Sequence, residues 1–303
     1  MSVIALLAGS PALFIGTALV LGLAVGSFLN VVIYRLPIML DRQWRAQCAD
    51  VLGEAAVATL AADLPERFNL VVPRSACPAC KAPIPATQNV PVLSWLILRG
   101  RCARCGAAIS ARYPIVELLT GVLSALVAWR FGFDWPTLAA LVLTWFLIAL
   151  TCIDLETQLL PDSLTLPLLW IGLTLSLWAP RIGGASVPVD LRSSVIGAIA
   201  GYASLWSVYH LFRLLTGKEG MGYGDFKLFA ALGAWLGWQM LLPIILIAAA
   251  AGAIVGITVL SIRRQHRSTP IAFGPFLAAS GWLILMVGHE LVGRYLGLFV
   301  PHP

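Results

Sequence analysis

The chain has 303 residues, of which 59% are hydrophobic and only 11% charged, with a mean hydropathy of +0.89; soluble domains carry about 45–50% apolar and about 25% charged residues. That is the composition of an integral membrane protein. It excludes a disordered chain, a secreted disulfide mini-protein and, because so few charges cannot neutralise a phosphate track, a nucleic-acid-binding domain.

No Lys or Arg precedes Arg35, so the apolar start lacks the basic flank of a cleaved secretory signal and reads as a retained first span with its N-terminus outside. On a length of about 20 largely apolar residues per crossing, spans are expected near 12–34, 114–131, 136–153, 162–179, 192–214, 223–240, 242–262 and 271–290, about eight in all. The division of 226–262 is the least obvious. No charge falls between Lys227 and Arg263, and at about 1.5 Å per residue the run is too long to cross once. Gly237, Gln239 and Pro243 mark its outer hairpin. No long Gly/Ser linker, low-complexity tract or internal repeat stands out.

The net charge of +6 is informative by position. Of the 20 basic residues, 10 lie between Arg35 and Arg112, and 6 more are Arg213, Lys218, Lys227, Arg263, Arg264 and Arg267. The other 4 are Arg130, Arg181, Arg192 and Arg294, a division of 16 to 4 if the two sets face opposite sides. The positive-inside rule places the larger set in the cytoplasm and leaves 180–190 and Pro303 on the other side.

This organisation predicts an all-α polytopic membrane protein with a first span over 1–34, a small cytosolic domain over 35–113, and a seven-span membrane domain over 114–303. The cytosolic segment carries 10 basic and 5 acidic side chains: Asp41, Asp50, Glu54, Asp63 and Glu66. Its core signal is Cys77-Pro-Ala-Cys80 followed by Cys102-Ala-Arg-Cys105. Each C-x-x-C knuckle can place two thiolates on one metal, and four thiolates suit tetrahedral zinc in a zinc-ribbon-like fold. Four unligated thiols or two redox pairs are the competing readings. The metal is favoured because a reducing compartment disfavours structural disulfides, and a short Pro-, Arg- and Ala-rich segment needs a staple to fold. A closed site of this kind is structural. Cys48 and Cys152 have no partner at ligand spacing and read as small apolar residues.

Carboxylates at the ends of spans are more telling, because intramembrane acids are costly and normally face the bundle interior or water. Asp154 falls where the third span returns to the basic side, in Cys152-Ile-Asp154-Leu-Glu156-Thr-Gln-Leu-Leu-Pro161-Asp162. Asp225 opens the sixth span in Gly220-Met-Gly222-Tyr-Gly224-Asp225-Phe-Lys227, where the glycines allow another backbone to approach. These acids can be juxtamembrane charges balanced by Lys227, Arg213 or lipid headgroups. Alternatively, two acids at one depth share a proton, one serving as base toward water and the other as acid toward a leaving amine. Other candidates have plain structural explanations. His210 and His289 read as packing histidines, the 11 Trp as interface anchors, Arg263-Arg264-Gln-His-Arg267 as a topology determinant, and Asn30 and Glu117 as helix-end residues.

Gly222-Tyr223-Gly224-Asp225 matches the G-x-G-D signature of membrane aspartyl proteases. Further matches follow in order: Ser27-Phe-Leu-Asn30-Val-Val-Ile-Tyr-Arg35-Leu-Pro37, the two knuckles, Arg112-Tyr113-Pro114-Ile-Val-Glu117, Asp154 with Leu160-Pro161-Asp162, and Phe273-Gly274-Pro275-Phe276. With these, nearly the whole chain resembles the bacterial prepilin peptidases, the type IV leader peptidase and N-methyltransferase family.

The resemblance implies a multifunctional inner-membrane enzyme. Such an enzyme cuts the basic leader from type IV prepilins or type II secretion pseudopilins on the cytoplasmic side, after a glycine, then methylates the new amine with S-adenosylmethionine. It implies Asp154 and Asp225 as catalytic residues, Gly222 and Gly224 as their active-site loop, and Cys77, Cys80, Cys102 and Cys105 as ligands of one structural zinc. Methyl transfer is assigned to the cytosolic domain by resemblance alone, since no G-x-G-x-x-G loop marks a binding site for the donor. The acids Asp154, Glu156, Asp162 and Asp225 would attract a basic leader. Two other readings compete: a transporter relaying protons through the aspartates, for which the repeated halves are missing, and a zinc-ribbon scaffold without chemistry, which needs no acid pair.

Overall fold

A computed structural model describes residues 2–52, 67–178, 189–218, 220–263 and 272–299. Most of the expected outer loop 180–190 lies outside the described residues, as do Arg264 to Arg267, Pro303 and the side chain of His289. The described residues form helices and no extended sheet: α1 (Val3–Gly9), α2 (Pro11–Leu52), α3 (Leu93–Ile97), α4 (Arg112–Phe131), α5 (Trp135–Thr157), α6 (Asp162–Ser176), α7 (Leu191–Thr216), α8 (Tyr223–Leu236), α9 (Leu241–Arg263) and α10 (Gly274–Phe299). The chain divides into two compact units, Ile15–Ala125 and Met1–Phe14 with Leu126–Pro303.

Among the described residues, five helices are long and apolar enough to cross a membrane: Pro11–Ala49, Arg112–Phe131, Trp135–Thr157, Leu191–Thr216 and Trp238–Thr258. The other three expected spans are also helical: α10 runs over 26 residues, Gly274–Phe299, while the remaining two are shorter than the hydropathy suggested. Asp162–Ser176 has 15 residues and Tyr223–Leu236 has 14. At about 1.5 Å per residue the two shortest fall below the roughly 30 Å of a bilayer core. Hydropathy overestimates α8 because the apolar run continues past Gly237, whose φ of +86° ends the helix before the short 3-10 turn Trp238–Met240. The hairpin expected at this point is therefore present. Pro243 enters the first turn of α9, where a missing N–H costs nothing.

In the Ile15–Ala125 unit, α2 does not stop where the first span was expected to end. It continues through Pro37 to Leu52, 42 residues in all, which is about 63 Å of helix. Arg35, within this helix, is buried, donating to the Asn69 and Pro73 carbonyls at 2.8 and 2.6 Å with its guanidinium over the Phe68 ring. Small residues let α2 meet α4 closely: a Cβ on Gly22 would lie 2.5 Å from Ser124 Oγ, and one on Gly26 2.7 Å from Glu117 Cα.

In the other unit, α8 is central, with every residue from Asp225 to Leu236 buried except the partly exposed Lys227. It packs against α7 and α6, while α10 packs against α9 and α5. The α7–α8 crossing is backbone on backbone, because Gly197 and Gly233 face each other without room for a Cβ on either. Ser194 Oγ donates to the Ala234 carbonyl at 2.6 Å and Trp235 Nε1 to Leu168 O at 2.8 Å. Trp235 also fills the space beside Gly172, so it joins α8 to α6.

The crossing makes a stability prediction. Gly233→Leu inserts four carbons where no carbon fits, and overpacking of this kind typically costs about 1–3 kcal/mol or more. The purified variant is expected to lose its monodisperse profile in detergent and to melt at lower temperature. Gly16→Leu, with nothing within 4 Å of its Cβ position, is expected to behave as the parent; equal melting of the two variants would refute the crossing.

Candidate active site and metal centre

Asp154 occupies the last turn of α5, whose end is fixed by Gln158 in the left-handed region, its N–H donating to the Asp154 carbonyl at 2.9 Å. Asp225 is the third residue of α8, after the N-cap Gly222. An acid here faces the positive end of its own helix and reaches back to the N-cap N–H, the geometry of a capping box. The Asp225 carboxylate accepts from the Gly222 N–H in this way. Asp154 receives the N–H of Gly274, the residue that begins α10. Each carboxylate is therefore held at a helix N-terminus.

The two acids are only 5% and 7% exposed, and their carboxylates are near enough to interact electrostatically. Asp154 Oδ2 and Asp225 Oδ1 are buried without a hydrogen-bond partner. Orphaned carboxylate oxygens are costly unless function requires them. Lys227 does not supply the expected counter-charge to Asp225. Its ammonium lies 2.6 and 2.7 Å from the two oxygens of Asp162 instead. Glu156 is exposed. The loop glycines also differ in their surroundings: a Cβ on Gly222 would meet nothing nearer than 3.7 Å, whereas one on Gly224 would lie 2.6 Å from Leu160 Cβ. Sequence reasoning gave Gly274 no role. A Cβ there would lie 2.5 Å from Asp154 Oδ2, and the signal available was its place in the matched Phe273-Gly274-Pro275-Phe276 motif.

Cys77, Cys80, Cys102 and Cys105 converge, with all four sulfurs within 4.8 Å of one another. The Cys77–Cys105 separation is 3.8 Å, and the edge of a tetrahedron with 2.3 Å zinc–sulfur bonds is about 3.8 Å. These four side chains could hold a metal ion. The knuckles are two copies of one local fold, offset by 25 residues. Cys77 N–H donates to Ala82 O, Lys81 N–H to Cys77 O and Ile84 N–H to Ser75 O; Cys102 to Ala107, Gly106 to Cys102 and Ile109 to Gly100 repeat the set. Lys81 and Gly106 hold φ of 56° and 72° at the equivalent step. The short repeat escaped the sequence reading because it is a backbone pattern with few shared side chains. The N–H groups of Cys105 and Arg104 lower the Cys102 thiol to about 6, and those of Cys80 and Ala79 lower Cys77. At Cys105 the Ala107 N–H acts the same way, but the Cys80 thiol, desolvation and the Cys102 and Cys77 thiols outweigh it and push the group up to about 11. Four crowded thiols do not all ionise without a cation between them.

The remaining candidates have structural partners. Asn30 Nδ2 donates to Tyr113 O at 3.0 Å, and buried Glu117 accepts from the Val92 N–H at 2.7 Å. His210 packs against Trp206 with ring centroids 4.3 Å apart and planes tilted by 55°, and meets Tyr209 edge-on at 5.1 Å, which fits a packing histidine. Cys48 is exposed and Cys152 partly buried; neither belongs to the cysteine cluster.

Residues 20–131 match the family model described as the bacterial peptidase A24 N-terminal domain, and residues 141–257 match that of the type IV leader peptidase family. Among curated proteins, the chain is 55% identical over 288 residues to the prepilin leader peptidase/N-methyltransferase of Aeromonas salmonicida, covering 95% of this chain and 96% of that one. Proteins of the same name from Stutzerimonas stutzeri and Pseudomonas aeruginosa are 51% and 50% identical, covering 98% and 96% of both chains respectively. No solved structure matches the chain.

Proposed function

The chain belongs to the type IV leader peptidase family, and from that premise we propose that its Asp154 and Asp225 cut the leader from type IV prepilins or type II secretion pseudopilins at the cytoplasmic face of the inner membrane. The enzyme is a prepilin peptidase and N-methyltransferase. One observation carries the assignment of the aspartates: two buried carboxylates interact, each keeps an unpartnered oxygen, and the nearby ammonium of Lys227 is engaged by Asp162. Two buried acids whose charges oppose each other favour a state in which one proton is held between them. The ionised carboxylate takes a proton from water as the water attacks the scissile carbonyl. The protonated one polarises the carbonyl oxygen by hydrogen bonding and then passes its proton to the departing amine as the tetrahedral intermediate collapses. No acyl-enzyme forms. Gly222 and Gly274 orient the pair through their N–H groups, and Gly224 admits the neighbouring turn.

Cys77, Cys80, Cys102 and Cys105 hold one structural zinc, a reading supported by their tetrahedral separation. S-adenosylmethionine supplies the methyl group placed on the new amine, and the segment 35–113 is the assigned location of that step. The 16 to 4 division of basic residues supports a cytoplasmic position for both sites. The relatives are peptidases and methyltransferases by name, which leaves the proton-relay transporter without support.

Purified enzyme incubated with a prepilin and methyl-labelled S-adenosylmethionine is expected to give a shortened pilin carrying label on its first residue. Label on uncut prepilin, or a cut at another bond, would overturn the order of reactions proposed here.

A further inference from the structure

Between α5 and α6 the chain turns within four residues, 158–161. The turn begins at the Gln158 cap on Asp154 and ends at Pro161, whose carbonyl accepts from the Leu164 and Thr165 N–H groups at 3.0 Å each. Leu160 reaches from it into the space bounded by the two glycines that flank the aspartates. A methyl group on Gly274 would lie 3.0 Å from Leu160 Cδ1 and 2.5 Å from Asp154 Oδ2, and one on Gly224 would lie 2.6 Å from Leu160 Cβ and 3.2 Å from its carbonyl oxygen. Leu160 therefore fills the gap between the Asp154 and Asp225 loops. Both carboxylates beside those glycines are buried, although the proposed reaction needs a water and a peptide bond beside them.

The next charged residue ties this turn down. Asp162, 57% exposed, is gripped by Lys227, which stands two residues after Asp225 on α8. We propose that Leu160 is a plug that closes the aspartate pair in the resting enzyme, and that the Asp162–Lys227 ion pair is the latch holding it in place. The proposal rests on the assignment of Asp154 and Asp225 as the reacting pair. An ion pair this exposed biases an equilibrium by no more than about fivefold. The latch is accordingly a light one that substrate binding can release, while the apolar plug provides most of the closure.

Carbodiimide modification of carboxyls, read by mass spectrometry on the intact enzyme in detergent, reports closure without reference to activity. Leu160→Ala is expected to raise modification of Asp154 and Asp225 about tenfold, and Lys227→Met twofold to fivefold. Buried Glu117, in the other compact unit, serves as the reference and is expected to stay constant. Unchanged labelling of the aspartates in Leu160→Ala overturns the plug, and a parallel rise at Glu117 overturns it in favour of general loosening. Should Leu160→Ala fail to fold, Asp162→Cys with Lys227→Cys, on a Cys48→Ala, Cys152→Ala background in zinc-replete protein, decides the matter. Bridging the two new thiols with a reducible bis-maleimide is expected to stop prepilin cleavage at least tenfold, and reduction of the linker to restore it. Normal cleavage by the bridged enzyme refutes the closure. If Asp154→Asn cleaves normally while the bridged enzyme does not, the catalytic assignment fails and the turn controls some other site.

Discussion

Asp154→Asn and Asp225→Asn are each expected to slow prepilin cleavage by about 10²–10⁴-fold, the usual contribution of a positioned acid or base, while leaving a folded enzyme that still methylates a pilin already cut. Asparagine is the informative replacement because both carboxylates accept backbone N–H groups at helix N-termini, from Gly222 and from Gly274. An amide keeps an acceptor oxygen in each place, so capping survives and only ionisation is lost. Alanine would also remove the cap, at about 0.5–2 kcal/mol, and mix a stability defect with a chemical one. A double variant no slower than either single one is expected, since the two acids act as a unit. Near-normal cleavage by a purified single variant would remove that residue from the mechanism.

Replacing Cys77 and Cys80 together with serine is expected to abolish binding of one zinc per chain, because two remaining thiolates cannot complete a tetrahedron. Structural zinc contributes about 10–16 kcal/mol of apparent binding energy in small zinc domains, energy that is also folding energy. The segment around the knuckles is therefore expected to become sensitive to protease, and methyl transfer to fall further than cleavage. Elemental analysis finding no zinc in unchelated parent protein would dismiss the structural site. Equal loss of the two activities would dismiss the division of labour between 35–113 and the aspartates.

Spacing made the metal-binding cluster legible. Two C-x-x-C units in one chain segment leave few alternatives, and the four sulfurs indeed meet. The aspartates were legible as costly acids in apolar surroundings, and both side chains are buried. Their neighbours were not legible. Lys227 lies two positions from Asp225 in sequence, but side chains two apart on a helix point in different directions, and Lys227 reaches Asp162 across the bundle instead. Leu160 was matched only as part of Leu160-Pro161-Asp162, and its contact with Gly224 and Gly274 was hidden because it depends on three separated segments. Hydropathy located every helix of the membrane region but misjudged α6 and α8. It registers an apolar environment and does not distinguish lipid from the interior of a bundle, and α8 is almost wholly enclosed by protein. The continuation of α2 to Leu52 was hidden by charge: Arg35, Asp41, Arg42 and Arg45 end the hydropathy of a span, but Arg35 is buried against backbone carbonyls, and beyond it Asp41 and Arg45 pair one turn apart at 2.7 Å.

On the zinc reading proposed above, the duplicated knuckles also make the ion a topological fastener. An ion shared by Cys77 and Cys105 closes a loop across 28 positions, and by the chain-entropy argument used for covalent cross-links, such a closure removes about 3–4 kcal/mol of freedom from the unfolded segment. The loop encloses α3, where Trp95 Nε1 donates to Ile109 O at 3.1 Å, and Val92, whose N–H binds Glu117 on α4. Losing the ion therefore releases the whole intervening stretch and, through Val92, takes a hydrogen bond from a carboxylate buried on α4. Metal occupancy and the environment of Glu117 are thermodynamically linked, although the cysteines and that carboxylate belong to different parts of the sequence.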